Sequence, residues 1–133
     1  MSQVSSHTFI FSDKIDTNYI YGMYENDYPY IESMFKAVVD HFDEDLAAIR
    51  NNYAQKNVEL LRKSVHKVRP SFGFAGMPVV QEKCSEFEKK CQVAKSINEL
   101  EMDFPVFMKC LEEAGTVIIE EYKKLKSFNG ACS

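Results

Sequence analysis

Apolar residues recur every three or four positions through most of this chain, and short polar breaks divide the pattern into segments. The longest stripe is Ile31, Met34/Phe35, Val38, Phe42, Leu46, Ile49 and Tyr53. It predicts a helix from Tyr28 to Tyr53 that is buried along one face. Pro29 suits its first turn, where the missing N–H has no helical partner to lose. Ahead of it, Asp16 is placed to cap a short helix over Thr17–Tyr24, ended by Glu25-Asn26-Asp27. Leu61, Val65, Val68 and Phe72 predict a third helix, capped by Asn57. Val80, Cys84, Phe87 and Cys91 predict a fourth over Met77–Val93. A last stripe from Phe104 to Leu125 predicts a helix over Asp103–Lys126, with Gly115 admitting a close neighbour. Ser96 and Glu99 have the spacing of a capping box. The pattern as a whole predicts an all-α fold, an antiparallel up-down four-helix bundle with a short extra N-terminal helix.

A single domain is expected to fill residues 1–133, with its core over about 15–126 and flexible ends at 1–12 and 127–133. Phe9, Ile10 and Phe11 are expected to lay one aromatic patch on the body. Phe128 can fold back, and Cys132 is expected to be exposed.

The third helix carries the unusual stretch, VHKVRPSFGFAGM over Val65–Met77. At about 100° per residue, Glu59, Arg62, Lys63, His66, Arg69, Pro70 and Gly73 share one stripe, away from Leu61, Val65, Val68 and Phe72. His66 therefore points outward among cations. Pro70 has no N–H for the carbonyl of His66, so a kink is expected just past the histidine. Gly73 and Gly76 then permit a break, and Pro78 can open the next helix.

Net charge changes the picture locally rather than globally. The chain has 16 Lys+Arg against 20 Asp+Glu, a net charge of −4, which argues against nucleic-acid binding. Yet Arg62, Lys63, Lys67 and Arg69 crowd one stretch with no acidic residue between them, as suits a small anionic group. The four cysteines form neither a C-x-x-C pair nor a zinc pattern with histidine, so no metal site is expected. No signal peptide and no membrane-length apolar run is visible, and a reduced, cytoplasmic monomer is the expectation.

At His66 the sequence resembles the histidine-containing phosphotransfer (HPt) domains of two-component phosphorelays. Their pattern is a histidine, a basic residue three on, Gly four on, Ser five on and Gly ten on, with Cys and Leu-Glu in the next helix. Here these positions hold His66, Arg69, Pro70, Ser71, Gly76, Cys84 and Phe87-Glu88. The resemblance covers roughly residues 15–126. Pro70 departs from the family's glycine, and Arg69 keeps the charge of the family's lysine while adding a planar fork.

The resemblance implies that His66 accepts a phosphoryl group from a receiver-domain aspartate and passes it to another receiver. A histidine used this way needs an accessible, unprotonated ring nitrogen. Arg69, Lys63, Arg62 and Lys67 are the candidates to stabilise the phosphate, and Pro70, Ser71, Gly73 and Gly76 to form a low-relief docking surface. No nucleotide-binding loop is present. The protein would be a carrier and not a self-sufficient enzyme, with no cofactor of its own. Mg²⁺ and catalytic carboxylates would come from the receiver domains of a hybrid histidine kinase and a response regulator. A helical adaptor that binds receiver-like domains without carrying phosphate is the alternative.

Overall fold

The computed structural model describes residues 8–132, and its described residues form helices and no strands. The helices are α1 (Thr17–Tyr24), α2 (Tyr28–Ala54), α3 (Val58–Phe74), α4 (Pro78–Val93) and α5 (Asp103–Cys132). Each expected start is built as its residues dictate. Asp16, Asp27 and Asn57 accept hydrogen bonds from the backbone N–H groups of Tyr19, Tyr30 and Leu60, satisfying donors the helix cannot. Pro29 and Pro78 lie in first turns.

The helices α2 to α5 form the bundle, and their stripes meet in one core. Phe35, Ile49, Leu61, Val65, Val68, Phe72, Leu111 and Leu125 are fully buried within it. Helices α2, α3 and α4 pack in sequence, and α5 returns against α2. Gly115 is what lets α5 approach, because a Cβ there would stand 2.2 Å from Cε2 of Phe42. Contact between α4 and α5 is sparse, leaving a shallow groove on that side.

Three details of the helices refine or depart from the expectation. First, α3 carries Pro70 inside it and runs on to Phe74. Val68 and Phe72, buried on either side of the proline, hold both halves against the same core, and that packing outweighs the local penalty. The stop comes at Gly76, with φ +76. There Met77 N–H donates to the Phe72 carbonyl at 2.7 Å and Gly76 N–H to that of Gly73 at 3.1 Å, a Schellman ending. Second, the last helix does not fray at Lys126 but reaches Cys132. Its final turns have partners: Phe128 packs edge-on against Phe9 and Tyr28, and Asn129 Nδ2 donates to the Tyr28 carbonyl and to Glu32. Third, Ser96 and Glu99 do not make a capping box. Glu99 accepts from the N–H of Lys95, and Ile97–Leu100 is a 3₁₀ turn pinned by buried Ile97 and Leu100.

The leading segment is also more closely held than a flexible end. Phe9 and Phe11 are buried while Ile10 is exposed, and Ser12 N–H donates to Oε1 of buried Glu121 at 2.8 Å. Asp16 N–H then reaches the Gly76 carbonyl at 2.8 Å, which ties the approach to α1 to the α3–α4 turn. The expectations for residues 1–7, for the side chain of Cys132 and for Ser133 lie outside the described residues. Among the described residues no helix is long and apolar enough to cross a membrane.

Candidate functional site

His66 lies in the third turn of α3, and its neighbours fix which way it points. Val65 and Val68 are fully buried, so the helix cannot rotate, and residue 66 faces outward with its side chain 58% exposed. The facing helix supplies what it meets. Cys84, Phe87 and Cys91 bury one side of α4 and carry Glu88 in with them. Glu88 Oε1 lies 2.8 Å from His66 Nδ1, and the glutamate side chain is only 8% exposed.

A carboxylate can only accept, so Nδ1 is the donor in this contact. That assigns the neutral ring its proton on Nδ1 and its lone pair on Nε2. Nε2 is thus the free nucleophilic nitrogen of an accessible ring held in one orientation.

The four cations do not converge on one point. Arg69 Nη1 lies 3.0 Å from Glu88 Oε2 and donates to Ser85 Oγ at 3.2 Å. Oε2 itself receives no aligned hydrogen bond, so its attraction to Arg69 is one of charge more than direction. Arg62 grips Glu59, one turn back, through Nε at 3.1 Å and Nη2 at 2.6 Å, and holds that carboxyl below the usual carboxylate range. Lys67 Nζ sits 3.6 Å from Oδ1 of Asp45, a buried acid on α2, and so belongs to the far side of α3. Lys63 is exposed and within ion-pair distance of no described acid. It is the cation left unpaired one turn before His66.

The docking residues also divide. Pro70 is exposed beside the histidine, and its missing N–H leaves the His66 carbonyl without its helical donor. Ser71 lines a groove between α2 and α3 together with Met34, Ala37, His41, Lys67 and Phe74. Gly73 and Gly76 are buried and form no surface. A Cβ on Gly73 would meet the Gln81 amide at 2.8 Å, and one on Gly76 would meet Ile20 Cγ1 at 2.6 Å and Ile15 Cγ2 at 2.8 Å. Both glycines serve packing, the second beneath α1.

Glu88 was absent from the site residues expected from sequence, although the signal existed. A carboxylate between Cys84 and Cys91 on an apolar face must have a partner to be buried there. The buried thiols offer no competing nucleophile: burial pushes Cys84 up to about 12 and Cys91 up to about 11. Among the described residues no group of three or more His, Cys, Asp or Glu could hold a metal ion.

An outward histidine on the third helix of a bundle is what the HPt resemblance implied; the buried acid that orients it is what the structure adds. The family model for the Hpt domain matches residues 33–123, more than half of the chain, and spans His66, Glu88 and the four cations. The chain belongs to the Hpt domain family. An Hpt domain is a phosphocarrier and not a catalytic domain, which gives this one a phosphotransfer role in a phosphorelay. Its fold is similar to the crystal structure of the HPT domain from the Hpt sensor hybrid histidine kinase from Shewanella. The TM-score is 0.71 at 15% identity, covering 84% of this chain and 95% of that one. At that identity the likeness speaks for the fold. No curated protein matches the sequence.

Proposed function

We propose that His66 is the phosphoacceptor, taking a phosphoryl group at Nε2 from the aspartyl phosphate of one receiver domain and passing it to an aspartate of another. The observation that carries this reading is the 2.8 Å contact between Nδ1 and buried Glu88, which leaves Nε2 unprotonated on an exposed ring. In the transfer, the Nε2–P bond forms as the aspartyl O–P bond breaks, and the aspartate leaves as a carboxylate. The Nδ1 proton stays where it is. The ring gains positive charge as Nε2 gives up its electron pair, and Glu88 stabilises that charge at contact distance.

The chain's own residues accept, orient and balance charge. The Mg²⁺ and acidic pocket that activate the phosphoryl group are assigned to the receivers, one in a hybrid histidine kinase and one in a response regulator. The α2–α3 groove, lined by Ala37, Ser71 and Phe74 among others, is assigned with exposed Pro70 to receiver docking. Lys63 is the cation free to meet the phosphate. The protein is assigned a cytoplasmic, monomeric role.

The direct test is incubation with phosphoramidate, a donor that needs no partner, followed by mass spectrometry under neutral or alkaline conditions. An acid-labile phosphoryl group on His66, absent from His66→Gln, is expected. Absence of label even with a panel of phosphorylated receivers would leave a helical adaptor that binds receivers without carrying phosphate.

A further inference from the structure

The groove between α2 and α3 changes character along its length. At one end it is apolar, lined by Met34 and Ala37 from α2 and by Phe74 from α3, whose side chain is 43% exposed. At the other end stand His41, Glu44 and Asp45 from α2 and Lys67 from α3. Phe74 and Lys67 are seven residues apart on α3, about 10 Å at the rise of an α-helix. Asp45 is the unusual residue at the charged end. Its side chain is only 8% exposed, and among the described residues its carboxylate receives no hydrogen bond. Its one cation, Lys67 Nζ, stands 3.6 Å from Oδ1, outside hydrogen-bond range, on a side chain 71% exposed. A carboxylate buried to that extent costs free energy unless donors satisfy it. Asp45 therefore has acceptor capacity to spare, on the wall of a groove. Glu44, exposed on the same wall, also has no hydrogen bond or ion pair to its carboxylate among the described residues. Two carboxylates against one ammonium leave this end short of a positive charge.

We propose that the charged end of the groove takes an Arg or Lys side chain of the docked receiver, with Asp45 as its main acceptor and Glu44 beside it. The receiver's apolar contact then lies on Met34, Ala37 and Phe74. Arginine suits the place better than lysine, because its planar fork can donate to both oxygens of Asp45. Receivers are told apart by whether a basic side chain stands about 10 Å from an apolar patch on the docking face. One that presents an acid there meets Asp45 and Glu44, and like charge rejects it. The inference rests on receivers docking in this groove and not on the chemistry of His66.

The test measures binding of a panel of purified receiver domains to the unphosphorylated full chain by calorimetry, at several salt concentrations. A receiver that binds wild type should bind Asp45→Asn at least about tenfold more weakly, because the partner's cation is left facing a neutral group. Glu44→Lys should also weaken binding, and affinity should then fall less steeply with salt. Each Lys and Arg of that receiver is next replaced by Met in turn, and one replacement should be non-additive with Asp45→Asn. Unchanged binding in both variants overturns the proposal, and so does the lack of any coupled basic residue. Thermal melts keep unfolding apart; if Asp45→Asn does not fold, Glu44→Lys and its coupled receiver residue decide alone. Labelling by phosphoramidate is read beside binding. A loss of labelling equal to the loss of binding places Asp45 in the chemistry of His66 and overturns the proposal. A wild-type dimer that Asp45→Asn dissolves gives the groove to a second copy and overturns it too. A chain that binds receivers as expected but takes no label loses the carrier reading and keeps this one. One that takes label but binds no receiver keeps the carrier reading and loses this one.

Discussion

Glu88 and His66 stand 22 positions apart in the chain, yet Oε1 and Nδ1 meet at 2.8 Å across the α3–α4 interface. One partner is buried and the other open to solvent, so a fixed acid steers an accessible base. Glu88→Ala removes the acceptor and is expected to slow phosphorylation of His66 by about 10- to 100-fold. Glu88→Gln keeps an oxygen that accepts from Nδ1 and should lose less. Rates with phosphoramidate, on variants shown by circular dichroism to be folded, check this; three equal rates would mean the acid has no bearing on the ring.

The groove between α2 and α3, proposed above for docking, lets docking be tested apart from chemistry. Ala37 is exposed on its wall and touches neither His66 nor Glu88 by hydrogen bond or charge. Ala37→Arg should cut transfer from a phosphorylated receiver at least about tenfold, the equivalent of ~1.4 kcal/mol of interface energy. Labelling by phosphoramidate should be unaffected. A variant that still accepts from the receiver at the wild-type rate would remove this groove from the docking surface.

Packing at Gly115 gives a prediction about the fold alone. A Cβ there falls 2.2 Å from Cε2 of Phe42 and 2.5 Å from Cζ, so the buried ring must move. Gly115→Ala should destabilise by about 1–3 kcal/mol, as overpacked cores do. At Gly22, by contrast, a Cβ meets nothing within 4 Å, and alanine there should stabilise α1 by about 0.5–1 kcal/mol. Paired urea melts read both; a stabilised Gly115→Ala would show that α2 and α5 are not in close contact at that point.

Alkaline stability follows from two buried acids. Burial pushes the Tyr24 hydroxyl, which donates to the Phe74 carbonyl at 3.0 Å, from 10.0 up to about 12, and the Cys84 thiol from 9.0 up to about 12. The folded chain therefore keeps both protons at a pH where the unfolded chain has lost them. Their contribution is fully present below the unfolded values and is lost as pH rises toward about 12. Urea midpoints should fall from pH 9.0 upward; Tyr24→Phe should make the fall shallower above 10.0, and Cys84→Ala from 9.0. Slopes identical to wild type in both variants would contradict the assignment.

Much of this fold is legible in the apolar stripes and caps. Asp16 and Asn57 open helices where a short side-chain acceptor precedes an apolar repeat, and both do cap; Asp27, read only as part of a break, caps as well. Pro70 is carried inside α3 because its penalty is local, whereas Val68 and Phe72 on either side of it are clamped by other helices, which the local sequence does not record. The end of α5 at Cys132 was hidden for the same reason: Phe128 and Asn129 have partners on Phe9, Tyr28 and Glu32, at the opposite end of the chain.

The outward face of His66 was determined by the sequence itself, since a rotation of about 100° per residue sets it opposite Val65, Val68 and Phe72 once those are buried. The close approach at Gly115 and the stop near Gly76 were likewise readable, because steric room and backbone freedom belong to single residues. Which charge meets which was not. Arg62, Lys63, Lys67 and Arg69 look alike along the chain, and only the packing of α3 between α2 and α4 sends Lys67 to Asp45 and Arg69 to Glu88. Periodicity records how one helix is buried; the pairing of ions across helices depends on distances of a few ångströms that arise only when whole helices dock.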